Sequence, residues 1–136
     1  MLFNRRQLLG AVAAGSAAVA APRAFAAVRS GNQPALLPRA MAALQAHGNI
    51  VTHRDVVGIV DFAAHSCLPR FHLVDIANGR TSTILVAHGR GSDPNNLGWV
   101  QKFSNRPGSN ASSNGSFLIG DIYVGKHGRS RRLYGL

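Results

Sequence analysis

Arg70-Phe71-His72-Leu73-Val74-Asp75-Ile76, then Asn78-Gly79, then Thr81-Ser82-Thr83-Ile84-Leu85-Val86-Ala87 is the stretch that decides the fold. Its first segment alternates, setting Phe71, Leu73 and Asp75 on one face of a strand and His72, Val74 and Ile76 on the other. Asn-Gly suits the two central positions of a type I′ turn, so the second segment is expected to return antiparallel to the first. A β-hairpin follows.

Working outward, Val56-Val57-Gly58-Ile59-Val60-Asp61-Phe62 is compact and β-branched, as a buried strand is. Before it, Leu37, Met41 and Leu44 fall at helical spacing, Pro38 suits a first helical turn and Gly48 can serve as a left-handed stop. This predicts a short helix over 38–47. Downstream, Trp99 to Phe103 is a short apolar piece, Phe117 to Val124 reads as another strand, and Leu133-Tyr134-Gly135-Leu136 as the start of one more. No repeat is evident and no helix is predicted after residue 48. The body is therefore expected to be mostly β.

Between Phe103 and Phe117 runs a loop of Ser, Asn, Gly and one Pro with no apolar periodicity, long enough to be a working surface. At the other end, Asn4-Arg5-Arg6-Gln7-Leu8-Leu9, the Ala-rich run Gly10 to Ala21 and Ala24-Phe25-Ala26 together read as a twin-arginine-type signal peptide over 1–26, cleaved after Ala26. The apolar run is too short and soft for a membrane span. Residues 27–37 are then a linker and 38–136 one domain. Export to the periplasm or cell envelope by the twin-arginine machinery is the expectation.

Charge is lopsided. Removing Arg5, Arg6 and Arg23 from the 15 basic residues leaves 12 against 5 acids, all Asp, a net of +7. Such a surplus favours anionic surroundings, and export directs it toward lipid or cell-wall polymer rather than nucleic acid. With one cysteine, Cys67, no disulfide can form within the chain, so stability must come from packing and backbone pairing.

Several residues invite chemistry. His88-Gly89-Arg90-Gly91-Ser92 follows the returning strand, where a histidine beside glycines can be aimed into a groove or can simply wall a turn. Ser92, His88 and Asp93 have the residue types of a nucleophile, base and orienter, but neighbours in sequence seldom converge in that geometry. Cys67 stands near His65 and His72, either of which could activate it, or it packs as a small residue in a turn. His53, His65, His72, His88 and His127 lack zinc-like spacing, so no metal site is expected. Lys126 to Arg132 is a dense basic run, read as a solvated turn or as a site for carboxylates or phosphates.

Val60-Asp61-Phe62, Arg70 to Asp75, Val86 to Ser92, Phe103-Ser104-Asn105, Gly108-Ser109, Ser112 to Gly115, Tyr123 to Gly128 and Leu133 to Leu136 occur in an order that resembles the murein L,D-transpeptidase catalytic-domain family, a branch of the YkuD-like cysteine transpeptidases. The resemblance implies a YkuD-like β-sandwich or barrel preceded by one short helix. It implies that a cysteine takes up a peptidoglycan stem peptide as a thioester, releases the terminal D-amino acid and passes the acyl group to an acceptor amine, with no cofactor. It also implies that His88, Gly89, Ser92, Ser109, Ser112, Ser113 and Gly115 shape the substrate groove.

The family's catalytic histidine and Ser-x-Gly-Cys nucleophile motif follow the position matching Gly135-Leu136, so neither Cys67 nor His88 inherits those roles and no catalytic residue is assigned. The expectation is a truncated domain, inactive alone, with an exposed apolar sheet face that lowers solubility or pairs with another chain. Two rivals stand beside it: a non-catalytic basic module that binds cell-wall polymer, and a hydrolase using Cys67 or Ser92.

Overall fold

The computed structural model describes residues 34–136. The signal peptide expected over 1–26, and the linker as far as residue 33, lie outside the described residues. The first element is helix α1 (Leu37–Ala46), with Pro38 in its first turn. A three-stranded antiparallel sheet follows, ordered β1 (Val56–Val60), β2 (Phe71–Asp75) and β3 (Arg80–Ile84). A hairpin of β4 (Phe117–Gly125) and β5 (Gly128–Gly135) forms a second sheet. The chain is thus mostly β, with one short helix followed by antiparallel sheets, consistent with a YkuD-like β-sandwich.

The alternation along β2 locates the core. Val57 pairs with Val74 and Ile59 with His72, which puts these four on the same face of the sheet. That face meets α1. Leu37 and Leu44 of the helix are buried with Ile59, Val74 and Ile76, while Met41 packs partly buried against them. Val74 is fully enclosed, and burying such a side chain contributes about 1.5–3 kcal/mol.

Two turns differ from their sequence reading. The loop joining β2 to β3 has four residues, because Asp75 pairs with Arg80 and Ile76 continues along β1 to donate its backbone N–H to Asp55. Burial of Ile76 in the core favours this extension over a two-residue turn. Asp75 then accepts hydrogen bonds from the backbone and side chain of Asn78, and only Gly79 takes a positive φ.

Gly48 is the second case. It does not adopt a left-handed conformation, since helix α1 runs on into hydrogen-bonded turns through His47 to Val51. Its lack of a side chain instead leaves room for the Arg54 guanidinium, which donates to the Gly48 carbonyl.

The short apolar piece Trp99 to Phe103 is irregular. The basic run, read above as a turn or an anion site, is mostly strand: only Lys126 and His127 form the loop, and Arg129, Arg131 and Arg132 lie on β5. A bulge sets Gly120 and Asp121 of β4 against the single Arg132 of β5, which restores Ile122 to the face shared by Phe117, Ile119, Val124 and Leu133. These five side chains are exposed, Val124 at 82%. Among the described residues neither β4 nor β5 packs against the first sheet or α1, and no helix is long and apolar enough to cross a membrane.

Candidate functional site: a cleft between two loops

The strand-to-loop passage after β3 brings His88 beside Arg70, the residue that precedes β2. Arg70 is fully buried, and each of its three side-chain nitrogens donates at least one hydrogen bond. Nε and Nη2 donate to the Val86 carbonyl at 3.1 and 3.0 Å, Nη1 donates to the Ala64 carbonyl at 2.8 Å, and Nη2 also donates to His88 Nδ1 at 2.8 Å. The guanidinium lies 5.2 Å from the Phe62 ring centre, and Phe62 in turn packs at 5.6 Å against Phe103, where the polar loop begins.

A guanidinium has no acceptor, so His88 Nδ1 must accept and the ring proton sits on Nε2. Nε2 stands 3.4 Å from Asp93 Oδ2. The Asp93 carboxylate is almost wholly enclosed and accepts three further bonds: from the backbone of Leu97 (3.0 Å) and Gly98 (2.7 Å) and from the Gln101 amide (2.9 Å). The Leu97 N–H holds its carboxyl below the ordinary carboxylate range, helped by Gly98 and His88 against the opposing effect of desolvation.

Ser92 occupies a short 3-10 turn (Arg90–Ser92) and is fully buried. Its hydroxyl oxygen accepts the backbone N–H of Ser112 at 2.9 Å, while the Ser112 hydroxyl accepts the backbone N–H of Gly89 at 2.9 Å. With the Gly91 N–H donated to the Asn110 carbonyl at 2.8 Å, three bonds lace the two loops together. Glycine is required at 91, since a Cβ there would run into the Ser109 carbonyl and lie 2.8 Å from the Ala111 nitrogen. At Gly89 a Cβ would meet the backbone of residues 110–112.

The polar loop is folded back on itself. Ser104 donates its N–H to the Ser112 carbonyl, the Ser113 hydroxyl donates to the Ser104 carbonyl, and Asn105 and Asn114 exchange side-chain-to-backbone bonds. Between this loop and the 88–96 segment opens a cleft of about 580 Å³, with His88, Arg90, Asp93, Asn96, Ser109 and Asn110 among its walls.

A family model for the L,D-transpeptidase catalytic domain matches residues 29–136, the same span that holds these loops. The chain belongs to that family. No curated protein and no solved structure matches the chain. Members of this L,D-transpeptidase family act on peptidoglycan, which they cross-link.

Within the family domain, the seven groove residues expected from sequence divide by position. His88 and Ser109 line the cleft. Gly89, Ser92, Ser112 and Ser113 lie behind it, where they join or brace the loops. Gly115 has a φ of +117° and no neighbour that a side chain would strike, so its place is set by backbone conformation. Arg70, Asp93, Asn96, Gln101 and Asn110 were not among the seven. Asp93-Pro94 before Asn96-Leu97-Gly98 is a turn signal that would have pointed to the carboxylate as a backbone-N–H acceptor.

The serine triad is not assembled, because both nitrogens of His88 are engaged by Arg70 and Asp93 and Ser92 Oγ serves the loop backbone. Cys67 is exposed, and of its two nearby histidines only His65 approaches it, with Nδ1 at 2.9 Å from Sγ. His65 Nε2 stands 3.1 Å from the Leu97 carbonyl and the ring packs edge-on against Trp99 at 5.0 Å. His72 is turned to Thr83 Oγ1 instead. Neither Cys67 nor His65 lines the cleft.

Proposed function

We propose that residues 34–136 form the peptide-holding groove of an exported peptidoglycan L,D-transpeptidase and bind a stem peptide without performing acyl transfer themselves. The observation that carries this reading is the lacing of the 89–92 turn to the 109–112 loop beside an open polar cleft. Rigid loop placement of this kind is what positioning a peptide requires.

Acyl transfer needs a thiolate that forms a C–S bond to the peptide carbonyl as the C–N bond to the terminal D-amino acid breaks, the departing amine gaining a proton. No thiol lines the cleft, and the residues 1–136 contain no Ser-x-Gly-Cys. His88, held at both nitrogens, has no free lone pair to take a proton from a nucleophile.

The test is to mix the chain with an N-acetylated tetrapeptide ending in a D-amino acid. Saturable change in the fluorescence of Trp99, the sole tryptophan, is expected, with no released amino acid and no acyl adduct by intact mass. An adduct on Cys67 with stoichiometric release would overturn the inactivity; absence of binding would overturn the groove. For export, residues 1–26 fused to a folded reporter should carry it out of the cytoplasm, and R5K/R6K should block that passage.

The exposed arginines of β5 favour a second reading, a basic module that holds anionic wall polymer. In that case binding to wall polymer would fall steeply with salt and would not depend on the peptide.

A further inference from the structure

The charges around the cleft do not cancel. Asp93 is turned inward to two backbone N–H groups, Gln101 and His88, and Arg70 lies buried behind His88, so this acid and this base offset one another inside the wall. Arg90 is different. It is exposed on the cleft, and among the described residues its guanidinium has no hydrogen bond or ion pair. Among the described residues, the cleft therefore presents one free positive charge.

A second observation falls at the same place. Among the described residues, the only non-glycine positions with positive φ are Asn96 (55°) and Asn110 (54°), and both line this cleft from opposite loops. Left-handed backbone is uncommon outside glycine and collects at ligand sites, where surrounding structure holds it in place. Each asparagine brings an amide that can both donate and accept, and Ser109 adds a hydroxyl.

We infer that this cleft is a carboxylate subsite, in which the Arg90 guanidinium takes both oxygens of a peptide carboxylate while Asn96, Ser109 and Asn110 face the adjoining peptide. The inference rests on the peptide-groove reading above. A fork of two parallel N–H donors matches a carboxylate. A phosphate dianion fits less well, because among the described residues only one cation of the cleft is free and the Asp93 carboxylate is itself part of the lining.

Three forms of one N-acetylated tetrapeptide containing an acidic residue, titrated into the chain by Trp99 fluorescence, test this: the free acid, the C-terminal amide, and the form amidated at the side-chain carboxylate. One of the two amidated forms should bind about tenfold more weakly than the acid, and which one it is identifies the carboxylate that is held. Arg90→Gln should abolish that preference, and Arg90→Lys should keep part of it. Equal binding by all three forms would overturn the carboxylate subsite and leave the groove standing. A preference that survives in Arg90→Gln would overturn the role of Arg90. Failure of every form to bind would overturn both readings together.

Discussion

Arg70 Nη2 lies 2.8 Å from His88 Nδ1, and because a guanidinium only donates, this one contact decides which imidazole nitrogen holds the proton. His88 thereby becomes a spacer between a buried cation and the Asp93 carboxylate, and the cleft wall is fixed from behind.

Arg70→Met leaves the Val86 and Ala64 carbonyls and His88 Nδ1 without a donor, and Asp93 without its buried counter-charge. The expected loss is about 3–5 kcal/mol, the range for removing one partner of a buried charged network. Arg70→Lys should lose nearly as much, since one ammonium cannot span three acceptors fixed by a planar fork. Urea unfolding checks both, with the midpoint shifted and the slope unchanged.

Ser92→Ala removes the acceptor of the Ser112 N–H and should cost about 1–3 kcal/mol by leaving a buried donor unpaired. Gly91→Ala should cost a similar ~1–3 kcal/mol by forcing the two loops apart. Both changes should raise amide exchange in residues 109–114, which hydrogen-exchange mass spectrometry resolves, while exchange in β1 to β3 stays as it was.

Acid should weaken the chain through Asp93. Its carboxyl is held below the ordinary value of 3.8, so folding gains from its ionisation. That gain is complete at neutral pH, declines once pH drops beneath 3.8, and is gone below the lowered folded value. Asp93→Asn should be less stable at pH 7 and show a flatter acid limb. What slope persists belongs in part to Asp75, which the Asn78 side chain and backbone also hold below the ordinary range. Thermal melts between pH 2.5 and pH 7, about a unit or more either side of the ordinary carboxylate range, would show the difference.

His65 Nδ1 is aimed at the thiol of Cys67, and the Leu97 carbonyl and Trp99 hold the ring in that pose. Alkylation of Cys67 by iodoacetamide should therefore slow severalfold in His65→Ala, while His72→Ala leaves the rate alone. Equal rates in all three proteins would reduce the pair to a packing contact.

The hairpin was legible because β-strand alternation is local: Phe71 to Ile76 carries its own period, and Val74 and Ile76 turned out to be the core side of it. Leu37 and Leu44 could be read for the same reason. The Asn78-Gly79 turn misled because the deciding force lies outside it, in the burial of Ile76 and its bond to Asp55. The cleft was harder still. Arg70 and His88 are 18 residues apart and Ser92 and Ser112 are 20, so these contacts depend on how β2, β3 and the polar loop are stacked in space. No periodicity records that. Ser92 drew notice as a possible nucleophile and proved to be a brace, a distinction that only its hydrogen-bond partner makes.

The β4–β5 hairpin, which touches neither α1 nor the first sheet, carries a consequence for the order of unfolding. A two-stranded ribbon with no helix or further strand packed on it is marginal in water. Its ladder should open in a separate, lower-energy event while the helix-backed sheet stays closed, so the chain behaves as two cooperative units of unequal strength. Deuterium would then enter 117–135 first. Any chain or surface that covers Phe117, Ile119, Ile122, Val124 and Leu133 would merge the two events into one.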